Sequence, residues 1–311
     1  MWYDEVGGMH IELRMLNYFL TVAREGGLTG ASEVLHVTQP TMSRQIQELE
    51  VELGQKLFIR TTRSMVLTPE GMLLRKRAEE ILEMAERTKE EFSSMGGAVA
   101  GDVFIGSGET FALKKVTDLM AQIREDHPGI CFQIYSGNAE DVMERLEKGL
   151  LDFGVLVEPV DVSHYNSLRL PTKDTWGLIL RRDHPLAQKN HIQRKDLIGI
   201  PLIMSRQDMA SQKAGNDYLD WFGKTYESLN IVAGYNLMYN GALMVKSGIG
   251  CAVGLDQIVN TNETSDLCFR PFDPPLETGI VVIWKKYQVF SRPAEILLER
   301  MMKTFGYHNA S

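Results

Sequence analysis

Between residues 13 and 58 apolar side chains recur in steps of three and four, the spacing that places them on one face of a helix. Leu16, Phe19, Leu20 and Ala23 form a first stripe, Ala31, Val34 and Leu35 a second, and Met42, Ile46, Leu49 and Leu53 a third. Thr29 reads as the cap of the second helix. Gly26-Gly27 and the stretch Val37 to Pro40 break the pattern between helices, and Gly54 ends the third as a left-handed cap would. Three short helices with a tight turn between the last two predict a helix-turn-helix. Extended runs Leu57 to Arg60 and Met65 to Thr68, around a polar turn at Thr61 to Ser64, predict a small hairpin beside it, which makes the motif winged.

A longer helix is expected from Thr68, with Thr68 as cap and Pro69 in the first turn, where a missing N–H costs nothing. Its seam is Leu74, Ala78, Ile81, Ala85, Thr88, Phe92 and Met95, alternating steps of four and three. That spacing fits pairing with a second chain; packing of one amphipathic helix on its own domain is the alternative. The stretch "SSMGGAVAG" then reads as a hinge.

Beyond residue 101 the period changes. "DVFIG", "ICFQIY" and "FGVLV" alternate with helical segments 111–125 and 140–148, as in a parallel βαβαβ unit. The alternation resumes with "WGLIL", "IPLIM", a helix Asn216 to Tyr226, "IVAGY", a helix Asn240 to Lys246 and "GCAVG", and closes with "GIVVIW" and a helix Pro293 to Phe305. The expected fold class is multidomain α plus α/β. It comprises a winged helix-turn-helix over 9–68, a linker helix over 69–97 and a two-lobed α/β domain over 98–311. Lobe I takes about 98–168 and 269–311, and lobe II about 169–268, with a cleft between them. Met9 reads as the natural start, with the first eight residues an extension.

A net charge of -8 argues against a protein coated in basic surface, so basic character, if it matters, must be local. It is: residues 36–77 carry seven Lys and Arg against four Glu. No apolar run approaches a membrane-spanning length and no signal peptide opens the chain, so the expected location is the cytoplasm, without a membrane partner. Cys131, Cys251 and Cys268 form no CxxC pair and the seven histidines show no ligand spacing, so neither a metal site nor a cofactor is expected. A redox switch between Cys251 and Cys268 stays open as a rival.

The third helix carries the chemistry. Its buried stripe points one way, while Ser43, Arg44 and Gln47 point broadly away. With Thr38, Gln39, Pro40 and Thr41 at its start, it presents groups that can grip guanine, adenine or phosphate, and its free N–H groups favour an anion. Glu48 and Glu52 lie further along the axis, and Glu50 and Glu52 on the flanks, so entry into a groove by the first two turns is expected. Arg60, Thr62 and Arg63 of the wing would add backbone contacts. Such modest local charge calls for an oligomer if binding is to be tight.

The stretch "AREGGLTGASEVLHVTQPTMSRQIQELEVELGQKLFIRTTRSMVLTPEGMLLRKRAEEIL" closely resembles the DNA-binding domain and linker helix of LysR-type transcriptional regulators. Weaker echoes in "HPGICFQIYSGN", "LLDFGVLV", "LRRDHPLAQKNHIQRKDLIGIPLI" and "VKSGIGCAVGL" resemble that family's effector domain, so the likeness runs from about Ile11 nearly to the end. Departures are small: Gly27 stands where serine is common, and Gly30 and Ser32 where larger residues or alanine are frequent. The resemblance implies a sequence-specific regulator that binds double-stranded promoter DNA as a homodimer through its linker helix and as a homotetramer. It further implies contact with RNA polymerase and a periplasmic-binding-protein-like effector domain whose cleft takes a small metabolite.

In that domain ligands should meet loops at the carboxyl ends of strands. Ser107, Glu109 and Thr110 follow the first strand, Ser136 and Asn138 the second, and Ser205 and Arg206 "IPLIM". With helix N-termini beside them they would suit an anionic metabolite, although the serines and Asn138 equally suit helix caps. Tyr239 and Trp176 are candidates for an aromatic wall. An α/β enzyme is the remaining rival, but "FGKT" at 222–225 has Tyr218 where a P-loop needs its first glycine, and "GIGCAVG" places Val253 at the third glycine of GxGxxG. The chain is therefore not expected to be an enzyme.

Overall fold

A computed structural model describes residues 11–61, 64–93, 99–206 and 217–306, with the side chains of 90–93 and 217 left aside. The expectations placed on the first eight residues and Met9, on Thr62 and Arg63, on the side chains of Phe92 and Met95, and on Asn216 fall outside these residues. The chain divides into two compact units, residues 1–95 and 96–311.

The first unit holds α1 (Leu13–Glu25), α2 (Leu28–Val34), α3 (Gln39–Leu53), the hairpin β1 (Phe58–Arg60) and β2 (Met65–Leu67), and α4 (Pro69–Ser93). The predicted stripes close on one core of Leu16, Phe19, Val22, Ala31, Met42, Ile46, Leu49, Leu57, Phe58 and Ala78. Val34 is the exception and lies on the surface. Gly54 adopts the left-handed cap expected of it. Thr29 does not cap α2, which starts one residue earlier behind Gly27 and has no side-chain cap; the Thr29 carbonyl instead accepts the Ser32 hydroxyl at 2.8 Å. The hairpin is tied to α1 by the Met65 amide donating to Gly26 O at 2.8 Å.

Thr68 joins the hairpin to α4. Its hydroxyl accepts the Gly71 amide at 2.9 Å and donates to Lys56 O at 2.7 Å. Gly71 is required here, because a Cβ at that position would stand 2.2 Å from Leu57 O. Along α4 the expected seam is divided. Leu74 and Ala78, with Leu82, pack into the unit's own core, while Met72, Leu73 and Ile81 are 60, 62 and 45 % exposed. The first two seam positions thus follow the single-domain alternative, because steps of three, four and four from Gly71 through Leu74 and Ala78 to Leu82 keep one side of the helix on the unit's own core.

The second unit is a mixed sheet of ten strands with helices on both faces, built from β3 (Ala100–Ser107), α5 (Leu113–Asp126), β4 (Gly129–Ser136), α6 (Ala139–Glu147), β5 (Phe153–Val157), β6 (Tyr165–Arg181), β7 (Ile192–Gln193) and β8 (Pro201–Ser205). It continues with α7 (Asp217–Phe222), β9 (Asn230–Tyr235), α8 (Met238–Lys246), β10 (Cys251–Leu255), β11 (Leu267–Asp273), β12 (Glu277–Lys285) and α9 (Arg292–Phe305). The strand order is β4-β3-β5-β12-β6-β10-β8-β9, with β11 on β6 and β7 on β11. β3 lies parallel to β4 and β5, as the βαβαβ pattern requires, and β8 lies parallel to β9 and β10. The 17-residue β6 links the two halves: Tyr165 to Thr175 pair with β12, and Trp176 to Ile179 with β10. Each half has a core on both faces of its sheet. The helix expected up to Tyr226 stops at Phe222 and tightens into a 3-10 turn over Gly223–Ser228. No described helix is long and apolar enough to cross a membrane.

Candidate functional site in the third helix and a cleft at the strand ends

The start of α3 is capped by Thr38, whose hydroxyl accepts the Thr41 amide at 3.4 Å and shares a 2.8 Å bond with the Thr41 hydroxyl. Gln39, Pro40, Thr41, Arg44 and Gln47 are exposed, and Ser43 is half-buried beside buried Met42 and Ile46. The core therefore fixes the helix while its polar side stays open to solvent. Arg60 on the wing is exposed as well.

The acids of α3 do not simply lie at its far end and flank. Glu48 accepts the Arg44 Nε at 2.7 Å and the Gln45 amide at 2.6 Å, one helical turn after the arginine it was expected to leave alone. Glu50 is 8 % exposed, and its carboxylate accepts the backbone amides of Leu57 at 3.0 Å and Phe58 at 3.4 Å and the Lys56 ammonium at 2.6 Å. Burial by itself would raise its pKa, but Lys56 and the two amides outweigh that and hold it below the ordinary value. Glu50 is thus a structural anchor between α3 and the wing. Glu52 lies exposed on the helix surface.

In the second unit a cavity of about 100 Å³ opens at the carboxyl ends of the parallel strands. Gly108 and Glu109 follow β3, Gly137 and Asn138 follow β4, Val157 ends β5 and is followed by Glu158, Ser205 ends β8, Tyr235 ends β9 and Leu255 ends β10, and all of these line it. Trp176, Tyr218 and Met238 also line it, together with Pro159, Asn236 and Ile258, and the Trp176 and Tyr218 rings are 4.7 Å apart.

Of the eight residues expected there, Glu109, Asn138 and Ser205 line the cavity. Ser107 is buried and donates to Gly108 O at 2.7 Å. Thr110 is buried and donates to Asp174. Ser136, Arg206 and Tyr239 are exposed and do not line it, Tyr239 being 67 % accessible. Of the two aromatic candidates Trp176 lines the cavity and Tyr239 does not, and Tyr218 and Tyr235 join Trp176 there. Tyr235 could have been found by the same strand-end rule that located Glu109 and Ser205, whereas nothing local marks Tyr218.

The helix N-termini that were to attract an anion are already occupied. Glu109, from the first half, accepts the Met238 and Tyr239 amides at the start of α8 in the second half. Asp174, on β6, accepts the Thr110 hydroxyl and the Phe111 amide just ahead of α5, and Asn138 caps α6 by accepting the Asp141 amide at 2.8 Å. Burial raises the pKa of both Glu109 and Asp174, against the hydrogen bonds that lower them. Among the described lining residues there are two carboxylates, Glu109 and Glu158, and no Lys, Arg or His. The anionic ligand expected from the sequence would thus meet two carboxylates in the described lining, and amides at these helix starts already hold side chains of the protein.

The cysteine rival meets a geometric obstacle. Cys268 pairs with Leu180 on one side of β6, and Ala252 pairs with Ile179 on the other, which places Cys251 across β6 from Cys268. Two strand spacings separate their backbones by roughly 9 to 10 Å, beyond the ~7 Å that a disulfide spans. Burial, with Cys268 adding to it, pushes the Cys251 thiol up to about 11, so at neutral pH it is not the thiolate that oxidation needs.

Residues 13–72 match the family model of the bacterial regulatory helix-turn-helix protein, lysR family, and residues 96–306 that of the LysR substrate binding domain. Relatives spanning nearly the full length include the uncharacterized HTH-type transcriptional regulator YvbU of Bacillus subtilis, 25 % identical over 94 % of this chain and 99 % of that protein. The Hca operon transcriptional activator HcaR of Escherichia coli is 29 % identical over 89 % of this chain and 92 % of its own. Among solved structures, full-length CbnR complexed with its target DNA superposes with a TM-score of 0.72 at 19 % identity, over 94 % of this chain and 99 % of that one, a likeness of fold.

Proposed function

Because the chain belongs to the LysR family of transcriptional regulators, a DNA-binding unit joined to an effector-binding domain, we propose that it reads a specific promoter sequence with the start of α3 and responds to a small molecule held in the cleft. The observation that carries the reading is the division of α3: Met42, Ile46 and Leu49 are locked in the core while Gln39, Thr41, Arg44 and Gln47 stand open on the other side. Arg44 and Gln47 supply the base-reading groups, Thr38, Thr41 and Ser43 position the helix, and Arg60 of the wing adds a phosphate contact. Thr62 and Arg63 complete the wing in this proposal.

The later seam positions Ile81, Ala85 and Thr88 fall on one side of α4, outside the unit's core, where a second copy of the chain would cover them, giving the homodimer and, by further pairing, the homotetramer that doubles each modest contact. Effector binding between the two halves of the second unit would shift how the DNA-binding units are presented, and RNA polymerase is the partner through which that shift would act. The setting is the cytoplasm, and no catalysis is assigned. The account is tested by capturing genomic fragments on the full-length protein: one recurrent, pseudo-palindromic sequence should be enriched, and its affinity should change when a cleft ligand is added.

A further inference from the structure

We propose that the cleft recognises a small ligand carrying a protonated amine on a compact apolar or aromatic body, a reading that rests on the cleft being the effector site. The cation would lie against Glu109 and Glu158 and the body against Trp176 and Tyr235.

Three independent features converge on this chemistry. First, the described lining offers two carboxylates and no basic side chain, so a bound anion would meet like charge without a partner. Arg169, which does not line the cavity, holds Glu158 at 2.9 Å, and its side chain is 79 % exposed. Second, amides at the starts of α5, α6 and α8 are already engaged by Asp174, Asn138 and Glu109, which leaves an anion fewer donors there. Third, three aromatic residues, Trp176, Tyr218 and Tyr235, stand in the wall beside the apolar Val157, Pro159, Met238, Leu255 and Ile258, and aromatic rings attract a cation, more strongly where water is excluded. Glu109 is held by the α8 amides yet stays short of full compensation, as its raised pKa shows, and an ammonium beside it would supply the missing charge.

The test uses the full chain and matched sets of probes that differ only in the charged group: benzylamine, benzyl alcohol and benzoate, with propylamine, propanol and propionate as the smaller set. Thermal unfolding and Trp fluorescence, to which Trp176 reports directly, are the readouts. The amine of at least one set should raise the melting temperature and quench the emission, while the corresponding alcohol binds at least tenfold more weakly and the carboxylate does not bind. Glu158→Gln should weaken amine binding by tenfold or more without lowering the melting temperature of the free protein. Preference for a carboxylate, equal binding of all three, or no response to either amine overturns the inference. If an amine binds but leaves the affinity for the captured DNA sequence unchanged, the ligand chemistry stands and the sensor reading falls.

Discussion

Arg44 and Glu48 sit one turn apart on the exposed side of α3, with the arginine Nε donating to the carboxylate at 2.7 Å. If α3 reads DNA as proposed, the pair accounts for an acid-bearing helix facing a polyanion: in the free protein Glu48 would offset the Arg44 charge and lower attraction to arbitrary DNA. A base edge that accepts both guanidinium arms can compete for Arg44, whereas a lone phosphate gains less from displacing Glu48.

Replacing Glu48 by Gln should therefore raise affinity for random-sequence DNA more than for the specific site. The dependence of log K on log salt should steepen by up to about 0.9 per subunit as one more cation becomes available. Fluorescence anisotropy across a salt series measures both; an unchanged slope would mean that Glu48 does not restrain Arg44.

Glu50→Ala should destabilise the first unit by roughly 1 to 3 kcal/mol, because the buried amides of Leu57 and Phe58 lose their acceptor. Its pKa is lowered in the fold, so the stability it contributes is fully present above the unfolded value of about 4.3 and disappears as pH falls through the lower folded value. Urea titrations of wild type and variant should accordingly differ at pH 7 and converge under strong acid.

Gly71→Ala should cost about 1 to 3 kcal/mol through overpacking, since the added methyl meets the rigid backbone oxygen of Leu57. A neutral result in the same titration would show that the start of α4 can shift away from the hairpin.

Glu109→Gln keeps a carbonyl acceptor for the α8 amides and removes the charge. Because the folded pKa of Glu109 is raised, the wild-type protein loses stability relative to the variant as pH rises from about 4.3 through that folded value. Unfolding of the second unit followed from pH 4.5 to 8 should show the gap moving in favour of Gln; a gap that is flat with pH would mean that Glu109 is fully compensated.

The winged helix-turn-helix is largely legible from spacing alone, because its stripes of three and four, its Gly54 cap and its Thr68–Pro69 start are local signals. Burial of Glu50 is not, since the amides it serves come from a hairpin seven and eight residues on. The strand-end rule places Glu109, Asn138 and Ser205 correctly at the cavity, yet the partner of Glu109 lies 129 residues away on α8, so its role as a cap across the two halves has no local trace. The first half of β6 escapes notice because Pro171, Lys173 and Asp174 interrupt its alternation, and β11 because Arg270 and Pro271 interrupt the apolar run "LCFRPFD". Which seam positions of α4 enter its own core and which stay outside it likewise depends on where α1 lies, which a repeat of four and three does not specify.

The central claim, that α3 reads DNA through Arg44, is tested most directly by genomic fragment capture with wild-type protein and the Arg44→Ala variant side by side, with oligomeric state checked by light scattering. Wild type should enrich one recurrent sequence and the variant should lose that enrichment while keeping the same oligomer. Retention of the same sequence by Arg44→Ala would contradict the account.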